Sequence, residues 1–177
     1  MKGLMMFMMF VSSIFAQDRE MVQEAVKNFE LDKYLGTWYE IARLDHSFER
    51  GMSNVTAHYS LREDGRVKVL NKGYRDNKSV WKSATGIAKF TGEPTRGALR
   101  VSFFRPFYGG YNIVELDEDY SYALVAGDSE KYLWILSRTP VLDPDHLEKI
   151  LSRGQALGYR IEDLIWVDQS LHLASHP

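Results

Sequence analysis

The sequence contains no cysteine. Without a thiol the chain cannot form a disulfide, a thiolate metal site, a cysteine nucleophile or an acylated cysteine anchor. It also lacks a glycine-rich phosphate loop and the Gly-x-Ser-x-Gly sequence of many serine hydrolases, and its scattered histidines do not have metal-ligand spacing. Asp45, His46 and Ser47 are adjacent, so they cannot adopt the relay geometry of a hydrolase triad. We therefore predict no catalytic residue, no metal and no cofactor.

The sequence also has no large excess of positive or of negative charge. Lysine and arginine number 22 and aspartate and glutamate 24, for a formal net charge of −2, and the two signs are interspersed. Nucleic acid is therefore not predicted as a partner. The length of 177 residues suits one domain, and the 13% aromatic content suits a core or cavity lined by large side chains.

The N-terminus has the features of a secretory signal. Lys2 precedes an apolar run, Leu4 to Phe15, which is shorter than the roughly 20 residues that a membrane-spanning helix needs. We predict cleavage after residue 16, a single domain over residues 17–177, and export, either to the periplasm, where association with the outer membrane is one option, or out of the cell, without a lipoprotein cysteine. The alternative is an uncleaved N-terminal anchor.

From Gly36 onward the sequence alternates apolar and polar residues between turn signals, which predicts strands. Eight consecutive strands without an intervening helix predict an all-β, antiparallel, up-and-down barrel, because an even number lets the first and last strands pair. Such a barrel has room for side chains or one small ligand. The predicted strands cover residues 36–43, 54–61, 66–74, 85–91, 99–104, 111–116, 120–126 and 132–137.

The flanking segments have other patterns. A short surface helix is expected over Asp18 to Asn28. Asp143 and Pro144 start an amphipathic helix that we expect outside the barrel, over Tyr39 and Ile41. A short ninth strand and a loose tail from Asp168 to Pro177 are expected after it.

In a barrel of this kind, successive turns alternate between the two ends. Tight turns fall at the end that contains Gly36, and longer loops fall at the other, so we expect one closed end and one open end. Strict alternation along Gly36 to Arg43 places Trp38, Glu40 and Ala42 inside and Tyr39, Ile41 and Arg43 outside.

Several short segments together resemble the lipocalin family, and most closely its bacterial outer-membrane members. They are Leu35 to Arg43, Phe48 to Gly51, Asn71 to Tyr74, Val101 to Phe104, Pro106 to Asn112 and Tyr132 to Pro140. The resemblance implies a calyx-shaped barrel that binds a hydrophobic molecule. It also implies structural roles at the closed end for Gly36, Trp38, Asp119, Tyr120 and Arg138, with the guanidinium of Arg138 packed on the indole.

By analogy with strand pairing in the family, a set of inward residues should bind the ligand. They are Glu40, Ala42, Ala57, Tyr59, Val69, Asn71, Leu99, Val101, Phe103, Ile113, Trp134 and Leu136. The alternative is a filled, ligand-free core. A buried carboxylate such as Glu40 needs a partner, for which Tyr59 or Asn71 is available, or it contacts the ligand directly.

The remaining candidate residues for ligand or membrane contact lie at the open end. Arg43, His46, Arg75 and Arg105 suit a phosphate head group, or they are solvated loop charges. Phe107 and Tyr108 suggest contact with a membrane or with a second copy in a homodimer.

The resemblance favours an exported protein, not an enzyme, that holds a fatty acid or lysophospholipid for storage or transport in the cell envelope. One alternative is an enzyme of the same fold that uses Glu40 as an acid or base. Another is a structural protein with a filled barrel whose loops bind a partner.

Overall fold

Nine strands run through the part of the chain that the structure, a computed structural model, describes, which is residues 24–174. The strands are β1 Gly36–Arg43, β2 Met52–Leu61, β3 Val67–Arg75, β4 Val80–Phe90, β5 Ala98–Phe104, β6 Phe107–Leu116, β7 Tyr122–Ala126, β8 Leu133–Ser137 and β9 Ile165–Trp166. The helices are α1 Leu31–Tyr34, α2 Pro144–Ala156 and α3 Ser170–Leu173, with 3-10 turns at Asp76–Lys78 and Ile161–Asp163.

Each of the first seven strands pairs antiparallel with the next, and β8 pairs antiparallel with β1, so the sheet closes on itself. The predicted eight-stranded up-and-down barrel is confirmed. The ninth strand pairs with Ala42 and Arg43, beyond the part of β1 that pairs with β2. The fourth strand begins at Val80 and not at Thr85, because its exposed first half continues the ladder with β3 as far as Arg75.

The predicted helix lies on the outside of the barrel. The side chain of Asp143 caps it by accepting the N–H of Asp145 at 2.9 Å. Ile150 is fully buried in an apolar cluster on the outer face of the barrel that includes Ile41. Tyr39 packs at the margin of the same cluster. The predicted placement of the helix is therefore confirmed.

The C-terminal segment is held against the barrel, so the prediction of a loose tail is wrong for residues 168–174. The side-chain amide of buried Gln169 donates to the backbone oxygens of Glu40 (2.8 Å) and Val55 (2.9 Å). The N–H of Asn54 donates to the Asp168 oxygen at 2.6 Å. A break in the β2–β3 register between Ser53 and Thr56 leaves backbone groups here for the tail to bond.

The end of the barrel that contains Gly36 is plugged by the N-terminal segment. The N–H of Phe29 donates to the Thr95 oxygen at 2.8 Å, and the rings of Phe29 and Tyr34 are buried. The predicted signal peptide and residues 17–23 of the chain lie outside the described residues. Residues 24–28 are not helical, so the helix predicted up to Asn28 does not reach its expected end. No helix within residues 24–174 has the length and apolarity needed to cross a membrane.

Candidate functional site

Most of the predicted pocket residues point into the barrel. Those in or against the interior apolar cluster are Ala57, Tyr59, Val69, Leu99, Val101, Phe103, Ile113, Trp134 and Leu136. Glu40 is buried, and Asn71 lies opposite Ala57 on β3 with its side-chain oxygen buried and without a hydrogen bond. That a ligand touches these residues stays a prediction.

The solvent exposure of the inward side chains differs between the two ends of the barrel. Tyr59, Val67, Val69, Ala88 and Leu99, toward the closed end, are buried. Further toward the open end, several inward side chains are only partly buried. We call this second set the upper wall, and it consists of Ala57, Asn71, Val101, Phe103 and Trp134.

A bulge in β1 reverses the alternation of its last residues. Glu40 lies opposite Leu136 on β8, whereas Ala42 lies opposite Ile135, so β1 has one extra residue at this point. Ala42 packs with Ile41 in the outer cluster beneath the helix. Arg43 is only 1% exposed. The predictions that Ala42 faces the pocket and Arg43 faces outward are therefore wrong, because alternation fails wherever the ladder has a bulge.

The reversed Arg43 forms the centre of a buried ionic cluster. Its Nη1 donates to Glu40 Oε1 at 2.7 Å, and its Nη2 donates to the backbone oxygens of Glu49 (2.7 Å) and Met52 (3.2 Å). Arg43, and not Tyr59 or Asn71, is thus the partner of Glu40. The same guanidinium fastens the loop over residues 44–51 to the barrel wall, since it bonds Glu49 within that loop and Met52, the first residue of β2.

A second carboxylate lies in this cluster. The Trp134 indole N–H donates to Glu49 Oε2 at 3.1 Å, and His46 Nε2 lies 2.9 Å from the same oxygen. Burial, and then the nearby Glu49 carboxylate, raise the pKa of Glu40 well above its usual value despite Arg43. Burial alone would also raise the pKa of Glu49, but the contacts with His46 and Trp134 lower it. Of the two carboxyls, Glu40 therefore holds a proton more readily.

Aromatic rings enclose His46 above the ionic cluster. The imidazole centroid lies 4.5 Å from that of Phe48, 5.3 Å from that of Trp134 and 5.9 Å from that of Tyr132. His46 is buried, as is Arg43, whereas Arg105 is exposed in the β5–β6 turn. The structure therefore does not bring the four predicted cations, which include Arg75, together as a phosphate site.

Three tyrosines form a hydrogen-bonded chain near the closed end. The hydroxyl of Tyr111 lies 2.7 Å from that of Tyr59 and 2.7 Å from that of Tyr34. Burial raises the pKa of all three phenols, so they stay neutral. A cavity of about 10 Å³ lies beside them, lined by apolar side chains such as Val69 and Leu99.

Sequence reasoning missed Tyr111 as an interior residue, although it has the same parity as Ile113, which was placed inside. It also missed Tyr34 and Glu49. These two lie before and after β1, outside any regular alternation, so no sequence pattern marked them as interior residues.

At the closed end, the Arg138 guanidinium carbon lies 3.9 Å from the centroid of the Trp38 ring, as predicted. Gly36 has a φ of +94°, which favours glycine, and a Cβ there would come 3.4 Å from Arg138 Nη1. Tyr120 is buried, and its hydroxyl accepts the N–H of Glu30 at 2.9 Å. Asp119 is exposed in the adjacent turn.

The described residues form neither a hydrolase relay nor a metal site. Asp45 pairs with Arg50 at 2.6 Å, and His46 faces Glu49, so Asp45, His46 and Ser47 do not act as one unit. Within residues 24–174, no group of three or more histidine, aspartate or glutamate side chains is placed to hold a metal ion. The interior of the barrel is lined by apolar side chains, with one ionic cluster toward the open end.

Comparisons with known proteins agree with this architecture. A family model described as a lipocalin-like domain matches residues 29–169. The outer membrane lipoprotein Blc of Escherichia coli (strain K12) is 54% identical over 144 residues, which cover 81% of this chain and 81% of that protein. The protein of the same name from Vibrio cholerae is 53% identical over 145 residues, 81% of this chain and 85% of that one. The crystal structure of the cockroach allergen Per a 4 shares the fold, with a TM-score of 0.70 and 24% identity over 89% of this chain and 99% of the other. The chain is a member of the lipocalin family.

Proposed function

We propose that this protein binds a fatty acid or a lysophospholipid against the upper wall of its barrel, for lipid storage or transport in the cell envelope. The observation that carries the proposal is the upper wall itself. Its side chains are mainly apolar, they face inward, and they are only partly buried. An apolar concave surface with few polar groups suits an acyl chain. The similarity to the two outer membrane lipoproteins supports a location in the envelope.

The ionic cluster indicates how such a ligand would lie. Both terminal nitrogens of Arg43 already donate, to Glu40 and to two backbone oxygens, and the side chain is only 1% exposed, so its charge is used within the protein, although its Nε has no hydrogen-bond partner. Glu40 and Glu49 beside it oppose a further negative charge. The polar head group therefore stays at the mouth, and the acyl chain points toward the closed end.

The proposal predicts that protein purified from its natural host releases an unaltered lipid on organic extraction, identified by mass spectrometry. The Ala57→Trp variant should bind a fluorescent fatty acid roughly tenfold more weakly or worse, because the indole takes space otherwise filled by several methylenes worth about 0.8 kcal/mol each. Ser83→Trp, at an exposed position on β4, is the matched control and should bind normally. Equal affinity of the folded Ala57→Trp variant and the wild type would contradict the proposed site.

The enzyme of the same fold remains the alternative. It requires that Glu40 act as acid or base, and the raised pKa of that carboxyl would allow it to carry a proton. Against this, Glu40 is buried and bonded to Arg43, and membership of the lipocalin family supports a binding protein. Chemical conversion of an added lipid that is lost in Glu40→Gln would favour the enzyme.

We also propose that the β5–β6 turn touches a lipid surface. Phe104 is 81% exposed and Phe107 is 78% exposed, and they flank the exposed cation of Arg105 at the open end. Two apolar rings beside a positive charge suit the interface of an anionic membrane. A second copy of the chain is the other occupant that such a turn suits.

The double variant Phe104→Ser/Phe107→Ser should therefore co-sediment with vesicles containing anionic phospholipid roughly tenfold less than the wild type. Val141→Ser, which removes an exposed apolar side chain beyond β8 near the closed end, is the control. If the double variant instead abolishes a dimer in sedimentation experiments and leaves vesicle binding unchanged, the turn is a subunit contact.

A further inference from the structure

Two tyrosines on opposite walls of the barrel bond to each other across its interior. Tyr59 lies on β2 and Tyr111 on β6, and these strands are four positions apart in a closed sheet of eight, which places them on opposite sides. Their hydroxyls are 2.7 Å apart. The two side chains therefore span the full width of the interior, and we call them the crossbar.

The crossbar is supported from below by the plug of the closed end. The hydroxyl of Tyr34, in α1, lies 2.7 Å from that of Tyr111, and the Tyr34 ring lies 5.3 Å from the Tyr59 ring. The Trp38 indole N–H donates to the Tyr34 backbone oxygen at 2.8 Å. Tyr34 is thus bonded at both its side chain and its backbone, so the crossbar cannot tilt toward the closed end without disturbing these bonds.

The crossbar also coincides with the change in exposure along the barrel. Tyr111 lies opposite Leu99 and is partly buried, and on the mouth side of these residues Val101 is also only partly buried, whereas Tyr59 and the side chains nearer the closed end are buried. The cavity beside the crossbar has a volume of about 10 Å³, which is about the space of one water molecule. This cavity is too small for an acyl chain, so we expect a chain that enters from the mouth to stop at the two rings.

We propose that the crossbar is the floor of the ligand site and sets the maximum length of acyl chain that the protein can bury. The inference rests on the proposed function, since it concerns how far the same ligand enters. Each methylene removed from water strengthens binding by about fourfold. Affinity should therefore rise with chain length only until the chain end meets Tyr59 and Tyr111, and additional methylenes should then remain in water and add nothing.

Isothermal titration of the purified protein with saturated fatty acids of eight to twenty carbons, each below its micelle concentration, tests this directly. The wild type should show an affinity that rises and then levels off at a limiting length. In Tyr111→Leu the limit should move to longer chains, and chains beyond the wild-type limit should gain about fourfold for each further methylene buried. Tyr108→Leu is the matched control, because this tyrosine is on the same strand with its ring beneath Lys89 Nζ at 4.7 Å. It should keep the wild-type limit.

A second variant leaves both tyrosines of the crossbar unchanged and shortens the space between them and the mouth. Val101→Phe adds bulk to the upper wall, on the mouth side of Leu99, which lies opposite Tyr111. It should move the limit to shorter chains. If Tyr111→Leu folds and binds but its limit matches the wild type, or if Val101→Phe leaves the limit in place, the crossbar is not the floor. Failure of the wild type to bind any chain would instead overturn the proposed function itself.

Discussion

Replacing Arg43 with methionine is expected to destabilise the folded protein by about 3–5 kcal/mol at neutral pH, the usual cost of removing one partner from a buried ion pair. Methionine keeps much of the side-chain volume and removes the charge. Glu40 would then share a buried site with a second carboxylate and have no cation beside it, and two backbone oxygens would lose their donor. Urea denaturation followed by tryptophan fluorescence measures the loss.

The loss should shrink as the pH falls. Burial and Glu49 raise the pKa of Glu40 in the folded protein, so its contribution to stability is complete below the unfolded pKa and is lost as pH rises through the folded pKa. Glu49 has the opposite sign, because its lowered pKa gives stability that is lost as pH falls. Arg43 lowers the pKa of both carboxyls, so removing it raises both values. Acid therefore favours the folded variant more than the folded wild type.

Two further variants test this explanation of the loss. Arg50→Met removes an arginine of the same loop whose pair with Asp45 is exposed, and it should change stability little. Adding Glu40→Gln to Arg43→Met should recover part of the loss, because it removes the uncompensated charge. A loss that is the same at every pH, or that Glu40→Gln does not reduce, would show that lost packing and not charge is the cause.

The barrel could be predicted from the sequence because its determinants are local. Alternation between turn signals such as Asp64-Gly65 marks each strand, and closure follows from their even number. The helix after Asp143 was equally visible, since its cap and its apolar stripe are both local. The error at the start of β4 has the same origin, because Lys82 and Ser83 do not alternate and only their pairing with β3 makes them a strand.

The candidate site was harder to predict because it depends on register between distant segments. The bulge near Ile41 becomes apparent only when β1 is aligned with β8, and it decides whether Ala42 or Arg43 faces the interior. The ordered tail depends on a similar irregularity, since Gln169 bonds the backbone of β1 and β2 more than a hundred residues earlier in the chain. The alternation of β6 does place Tyr111 inside, but no local pattern brings its hydroxyl to that of Tyr59.

Arg138→Ala should have the second large effect, a loss of about 2–4 kcal/mol, made up of a cation–π contact and of hydrogen bonds from a charged donor. The guanidinium packs on Trp38 and donates to the backbone oxygens of Lys33 (2.7 Å), Thr37 (3.0 Å) and Tyr120 (3.3 Å). It therefore joins the plug, the start of β1 and the β6–β7 turn. Arg138→Lys should recover only part of the loss, because a lysine cannot bond three oxygens in this fork geometry.

The effect of Arg138→Ala should be concentrated at the closed end, and amide hydrogen exchange can show this. Exchange should accelerate in α1 and in the first residues of β1, where the guanidinium is bonded, and should change little in the loop over residues 44–51 at the open end. Arg160→Ala, which removes an exposed arginine paired with Glu162 and Asp163, is the control. If Arg138→Ala costs stability but leaves exchange in α1 unchanged, the arginine does not hold the plug, and the hydrogen bonds of Tyr34 to Tyr111 and Trp38, with the packing of its ring, are sufficient to fix it.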